Sequence, residues 1–180
     1  MNLPNKLTIL RICMIPFFVV ALMIDQGGVA AYRYLAAAIF VIASFTDFLD
    51  GNIARKYNLV TNFGKFMDPL ADKLLVCSAL ICMIQLGQLP AWYVIIIISR
   101  EFIISGFRLV ASDNGVVIAA SYWGKFKTVS QMIAIVLLIM NLPSFRLITD
   151  VFVWLALILT VVSLIDYLWK NRRILTEGGM

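Results

Sequence analysis

Six long apolar runs constrain this chain more than any other feature. They extend approximately from Leu7 to Ile24, Tyr34 to Phe48, Pro69 to Leu86, Ala91 to Val110, Val129 to Leu142 and Val151 to Trp169. The hydrocarbon core of a bilayer is about 30 Å thick, and a helix of about 20 residues crosses it. Backbone groups cannot hydrogen-bond to lipid, so spanning runs of this kind must be helical. The second and fifth runs are short. Each is expected to continue as helix through its polar flank, which must then pack against protein. With 62% hydrophobic and only 14% charged residues, the 180-residue chain has too little polar surface to cover a soluble globule. The expected fold is all-α and integral to a membrane, with six transmembrane helices and residues 1–180 forming a single domain.

Turn signals separate the runs: "DQGG", "QLGQLP" and "NLPSF". With the N-terminus inside, the inner segments hold Lys6 and Arg11, then Arg55, Lys56 and Lys65, then Arg108, Lys125 and Lys127, then Lys170, Arg172 and Arg173. The outer loops hold only Arg33 and Arg146. This asymmetry places both termini in the cytoplasm. Trp92, Tyr93, Tyr122, Trp123, Tyr167 and Trp169 fall near the expected interfaces, as an aromatic belt would. No small-residue cleavage site follows the first run, so a retained helix is expected rather than a removed signal peptide. Pro16 is expected to kink that helix. Cys13, Cys77 and Cys82 lie inside apolar runs and read as small apolar filler. The net charge of +5 suits anionic head groups or phosphorylated substrates. The basic residues form no single run, so nucleic acid is not an expected partner.

Against this apolar background, four of the ten acidic residues crowd between Thr46 and Lys73: Asp47, Asp50, Asp68 and Asp72. The first pair is three residues apart at the end of the second run. The second pair is four apart at the start of the third. Both spacings put a pair on one helical face, and an antiparallel hairpin would bring the pairs together near the inner membrane surface. Four converging carboxylates repel one another unless cations sit among them or several stay protonated. Histidine is absent, so any metal must accept oxygen ligands, which favours magnesium, manganese or calcium. Two such ions about 3.5–4 Å apart form a clamp used in phosphoryl chemistry. Gly51 and Gly64 would let a ligand approach the backbone, and Arg55 offers a fork of donors to a phosphate.

The arrangement Asp47-x2-Asp50-Gly51-x2-Ala54-Arg55-x8-Gly64-x3-Asp68-x3-Asp72 resembles the full signature of the CDP-alcohol phosphotransferase family, and six spans agree with that family's fold. The resemblance implies transfer of a phosphatidyl group from CDP-diacylglycerol to an alcohol, with release of CMP. "NLPNKLTILRI", "GKFMDPLADKLL", "SREFIISGFR" and "WGKFKT" are most similar to the branch whose acceptor is glycerol 3-phosphate and whose product is phosphatidylglycerophosphate. It implies that Asp47, Asp50, Asp68 and Asp72 hold two Mg2+ or Mn2+ ions. Asp72 would also be the catalytic base, and Gly51, Ala54, Arg55 and Gly64 would cradle the CDP. It further implies a homodimer in a cell membrane, of bacterial plasma-membrane type, with the site facing the cytoplasm.

A phosphorylated acceptor needs its own basic pocket, for which Arg100, Arg108, Lys125 and Lys127 are candidates. Arg100 lies well inside the fourth run beside Glu101, where an unpaired charge is expensive. It could equally serve in a pairing with Glu101 or with neighbouring helices. Lys125 and Lys127 are two apart and would face differently, one toward phosphate and the other toward lipid head groups. Asn5, Thr8 and Arg11 share a face at the base of the first run, where Thr8 could touch the nucleotide and Arg11 the acceptor phosphate. They could also be a helix cap and a snorkelling arginine. Two other readings stay open at this point: the same donor with serine, an inositol phosphate or phosphatidylglycerol as acceptor, and a divalent-cation channel or carrier.

Overall fold

A computed structural model describes residues 2–24, 30–56, 62–113 and 121–171. Six α-helices follow in order: α1 Leu3–Ile24, α2 Ala30–Lys56, α3 Asn62–Gln85, α4 Ala91–Asp113, α5 Tyr122–Met140 and α6 Arg146–Lys170. A 3₁₀ turn, Pro143–Phe145, precedes α6. The "DQGG" turn, Arg172 and Arg173 lie outside the described residues. Both short apolar runs do continue as helix: α2 passes Phe48 and reaches Lys56, and α5 begins at Tyr122, ahead of Val129. Pro16 sits within α1 without ending it. Among the described residues, three helical stretches are long and apolar enough to cross a membrane: Asn5–Ile24, Tyr122–Met140 and Pro143–Lys170. In α2, α3 and α4 the apolar sequence is broken by charge, including Arg33, Asp68, Asp72, Lys73, Arg100, Glu101 and Arg108.

The chain forms two compact units. The first comprises Met1–Leu89 with Leu138–Asn141, and in it α1 packs against both α2 and α3. The buried stripe of α1 runs Asn5, Thr8, Arg11, Ile15, Phe18 and Leu22, the three-to-four spacing of one helical face. Phe18 meets Phe40 of α2 with ring centroids 5.7 Å apart. In α3 the stripe is Ala71, Leu75, Ala79 and Met83. On the other faces Phe17, Val20, Ile42 and Phe45 are exposed, as side chains that meet lipid should be. Gly87 ends α3 with φ +68°. Its N–H donates to Ile84 O and that of Gln88 to Met83 O, each at 2.9 Å. This paired closure of the last turn needs a left-handed residue, and glycine adopts it without a Cβ penalty.

The second unit comprises Pro90–Leu137 with Leu142–Met180. Three rungs join α4 to α6. Tyr93 Oη donates to Val153 O at 2.8 Å, Arg100 Nε donates to Ser163 Oγ at 3.0 Å, and Phe107 meets Tyr167 edge-on at 5.8 Å. Each step along α4 is matched by a step in the same direction along α6, so the two helices run parallel. Two expected belt aromatics are corrected by these rungs. Tyr93 and Tyr167 are buried, whereas Trp92, Tyr122, Trp123 and Trp169 are exposed. The reason is facial: Tyr93 and Tyr167 fall on the stripes by which α4 and α6 meet.

Candidate functional site

In the first unit, α1 changes the character of its buried face along its length. Asn5, Thr8 and Arg11 are buried at its beginning, and Ile15, Phe18 and Leu22 follow. The three polar residues do share a face, as their spacing requires. Arg11 is fully buried rather than snorkelling. Thr8 is also fully buried, and its Oγ1 donates to Asp68 Oδ1 at 2.5 Å. A short bond to an ionised acceptor of this kind is among the stronger hydrogen bonds a protein makes. It pins one carboxylate oxygen of α3 from a helix sixty residues away.

Asp72 follows Asp68 by one turn on the same face of α3, and both are half-buried. Pro69 lies between them and donates no backbone hydrogen bond to the preceding turn. Lys73 Nζ donates to Pro69 O at 3.3 Å. Gly64 is buried one turn before Asp68. Asp47, Asp50, Gly51, Ala54 and Arg55 all fall within α2, but their side chains lie outside the described residues. Their level can still be read from the backbone. The short link between α1 and α2 permits only an antiparallel return, and Phe18 stands opposite Phe40. Stepping back along α1 while stepping forward along α2 sets the region of Asp50 level with Thr8, the residue bonded to Asp68.

The candidate ligands Asp68 and Asp72 offer oxygen alone, which suits a hard divalent cation. Among the described residues, no three acidic or cysteine side chains gather into a metal cluster. Asp47 and Asp50 fall outside that comparison.

In the second unit, two cations converge on one carboxylate. Arg100 Nη1 lies 3.0 Å from Glu101 Oε1, and Lys127 Nζ bonds to the same oxygen. Neighbouring helical residues diverge, yet the length of the arginine lets it turn back onto Glu101. Arg100 and Lys127 are both buried. Buried charges are tolerated only when paired and hydrogen-bonded, and here both cations meet the same carboxylate oxygen. Gly124 adjoins this group: a Cβ there would stand 3.4 Å from Arg100 Nη2. Lys125 and Lys127 face differently, as expected. Lys125 is exposed, with its ammonium 5.4 Å from the Tyr122 ring centroid. Arg108 is exposed as well.

The site therefore includes residues that sequence reasoning passed over. The pairing of Arg100 with Glu101 was one of the two expected roles, but nothing local marks Ser163, which meets Arg100 across 63 residues. Ser130 and Gln131 are buried on α5 beside Lys127. An amide standing at the head of the apolar stretch "QMIAIVLLIM" was the available signal, because polar side chains within a span are costly.

Comparison with known proteins identifies the family. The sequence model of CDP-alcohol phosphatidyltransferase matches residues 1–162. A Bacillus subtilis protein named CDP-diacylglycerol--glycerol-3-phosphate 3-phosphatidyltransferase is 48% identical, over 94% of this chain and 95% of its own length. A Mycobacterium tuberculosis protein named probable phosphatidylglycerophosphate synthase is 44% identical, over 96% of this chain and 82% of its own. A Rickettsia bellii protein with the same name as the Bacillus one is 40% identical, over 92% and 93%. With the signature aspartates falling on two adjoining helices and the match spanning nearly the whole chain, this protein belongs to the CDP-alcohol phosphatidyltransferase family.

Proposed function

We infer that the protein transfers the phosphatidyl group of CDP-diacylglycerol to glycerol 3-phosphate, giving phosphatidylglycerophosphate and CMP for phospholipid synthesis. The observation that carries this reading is the buried group in which Arg100 and Lys127 share one oxygen of Glu101. Such cations suit a phosphorylated acceptor better than a zwitterionic one such as serine. Within the first unit, α3 carries Asp68, bonded to Thr8, and Asp72 one turn on. The relatives reported above bear names for the same reaction.

Family members generally depend on a divalent cation. Asp68 and Asp72, with Asp47 and Asp50 of α2, would hold two Mg2+ or Mn2+ ions. Bound there, the ions supply charge neutralisation to the diphosphate and its departing CMP. The rest of the work falls to the chain. Thr8 fixes Asp68, and Gly51, Ala54, Arg55 and Gly64 hold the CDP. Arg100 and Lys127, with Arg108, Lys125 and Arg11 as further candidates, hold the acceptor's phosphate. Asp72 takes the proton from the acceptor's primary hydroxyl. That oxygen attacks the phosphorus carrying the diacylglycerol, and the bond from that phosphorus to the CMP oxygen breaks. Metal contact keeps a carboxylate ionised and weakens it as a base. Asp72 can serve both roles only where the hydroxyl it faces is itself acidified.

The reading also includes six spans, cytoplasmic termini, a multi-pass place in the cell membrane, residues 1–180 working as one catalytic domain, and a homodimer. The decisive experiment measures CMP release from CDP-diacylglycerol by purified protein against glycerol 3-phosphate, serine, inositol phosphate and phosphatidylglycerol, with and without a chelator. Release that requires glycerol 3-phosphate and stops with chelator is expected. Release with another acceptor alone overturns the assignment.

A further inference from the structure

The buried face of α5 begins with Lys127, Ser130 and Gln131 and continues as Ala134, Ile135 and Leu138. Gln131 is 4% exposed, and neither Nε2 nor Oε1 of its amide finds a hydrogen-bond partner among the described residues. Buried polar groups are nearly always bonded, and an exception asks for an explanation. An amide with both ends unused, at the border of an apolar core, is a cost that an apolar side chain of the same shape would avoid.

Gln131 stands one turn beyond Lys127 on the same face, a rise of about 6 Å along the axis. Lys127 and Arg100 meet on Glu101, so the position of Gln131 on α5 is one helical turn from a member of the cation cluster. A phosphate held by those cations would use Nε2 only, because its oxygens would oppose the amide carbonyl. A hydroxyl, by contrast, both donates and accepts, and an amide answers both. We propose that Gln131 is a specificity-determining residue that recognises the secondary hydroxyl of a three-carbon polyol phosphate whose phosphate sits on Arg100 and Lys127. The proposal rests on the reading that the acceptor is glycerol 3-phosphate. Of that molecule's groups, the phosphate has its cations and the primary hydroxyl is consumed in the reaction. The central hydroxyl is the group left to be read.

The test compares glycerol 3-phosphate with propane-1,3-diol monophosphate, which lacks only the central hydroxyl, in CMP release by the purified full chain. Wild type is expected to favour glycerol 3-phosphate by about 10–100-fold in kcat/KM, the selectivity of a buried group left unbonded by the poorer substrate. Gln131→Met, similar in length and apolar, is expected to lose most of that preference while its KM for CDP-diacylglycerol stays the same. Its melting temperature in detergent should equal or exceed that of wild type, since no bond within the protein is lost. A merely structural amide predicts the reverse: lower melting temperature, both acceptors impaired alike and the preference intact. That result, or a wild type that does not distinguish the two acceptors, overturns the assignment. A wild type inactive with glycerol 3-phosphate overturns the underlying reading and this one with it. An active wild type whose preference survives in the variant overturns only the role of Gln131.

Discussion

Replacing Thr8 by valine removes one hydroxyl and almost no volume, and with that hydroxyl goes the bond to Asp68. That bond is 2.5 Å long, and the threonine is fully buried. Hydrogen bonds to charged groups contribute about 1.5–3 kcal/mol. Because Asp68 is only half-buried, water can replace part of the loss, which favours the lower end. At 1.4 kcal/mol per factor of ten, the expected weakening of divalent-ion binding is about tenfold. This agrees with the lower bound of about 10–100-fold for removing a partner of a metal-binding side chain. The assay is Mn2+ titration of detergent-purified protein without substrate, by paramagnetic resonance of the free ion, so that binding is read apart from turnover. Thr8→Ser, which keeps the hydroxyl, should bind nearly as wild type. One of the two sequence readings of Thr8, a contact to the nucleotide, predicts a different outcome: unchanged Mn2+ affinity and a raised KM for CDP-diacylglycerol. If Thr8→Val gives that pattern, the positioning role of Thr8 is wrong and the sequence expectation stands.

Four further outcomes follow from the same structure. Asp72→Asn should lower kcat by about 10²–10⁴-fold, the usual worth of a general base, with the circular dichroism of the helices unchanged; appreciable turnover would remove Asp72 from the reaction. Glu101→Gln leaves Arg100 and Lys127 buried without their carboxylate and should destabilise the protein by about 3 kcal/mol, read as a lower melting temperature in detergent. Arg108→Ala should raise the KM for glycerol 3-phosphate more than that for CDP-diacylglycerol, and an equal rise in both would argue against an acceptor role. Gly87→Ala should cost about 1 kcal/mol from its positive φ alone, because the space a Cβ would enter is open; a neutral result would mean that the turn after α3 relaxes.

How much could be read before the structure depended on whether the determinant was local. Helix positions were legible because apolar runs of this length leave the backbone no alternative, and even the continuation of α2 to Lys56 followed from the shortness of its apolar part. The α3 carboxylates were legible because their one-turn spacing fixes a shared face. Residues whose role depends on a partner far along the chain were not. The 60-residue step from Thr8 to Asp68 and the 63-residue step from Arg100 to Ser163 leave no trace in the neighbouring sequence. Tyr93 and Tyr167 misled for a related reason. Position near a helix end suggests an interface aromatic, but the face decides, and the face depends on which helix lies alongside.

Burial offers an argument about topology that is independent of counting charged loop residues. Buried polar side chains open the core stripe of α1 at Asn5, Thr8 and Arg11, and that of α5 at Lys127, Ser130 and Gln131. In α4 and α6 the buried polar residues come later: Arg100 follows Tyr93, Val94 and Ile97, with Ile104 and Ala111 beyond it, and Thr160 and Ser163 follow Ala156 and Leu157, with Tyr167 beyond them. A chain that crosses the membrane alternately from a cytoplasmic N-terminus enters at the starts of α1 and α5 and returns at the ends of α4 and α6. Every one of these polar segments would then belong to the cytoplasmic half of its helix, where charged, water-borne substrates arrive. The opposite orientation of the N-terminus would set all four in the outer half of their helices, and a helix lying along the surface would break the alternation. Single cysteines placed at Gly87 and at Lys170 in a chain lacking the three native ones should therefore react with a membrane-impermeant maleimide from opposite sides of sealed vesicles. Labelling of both from one side would refute the alternation.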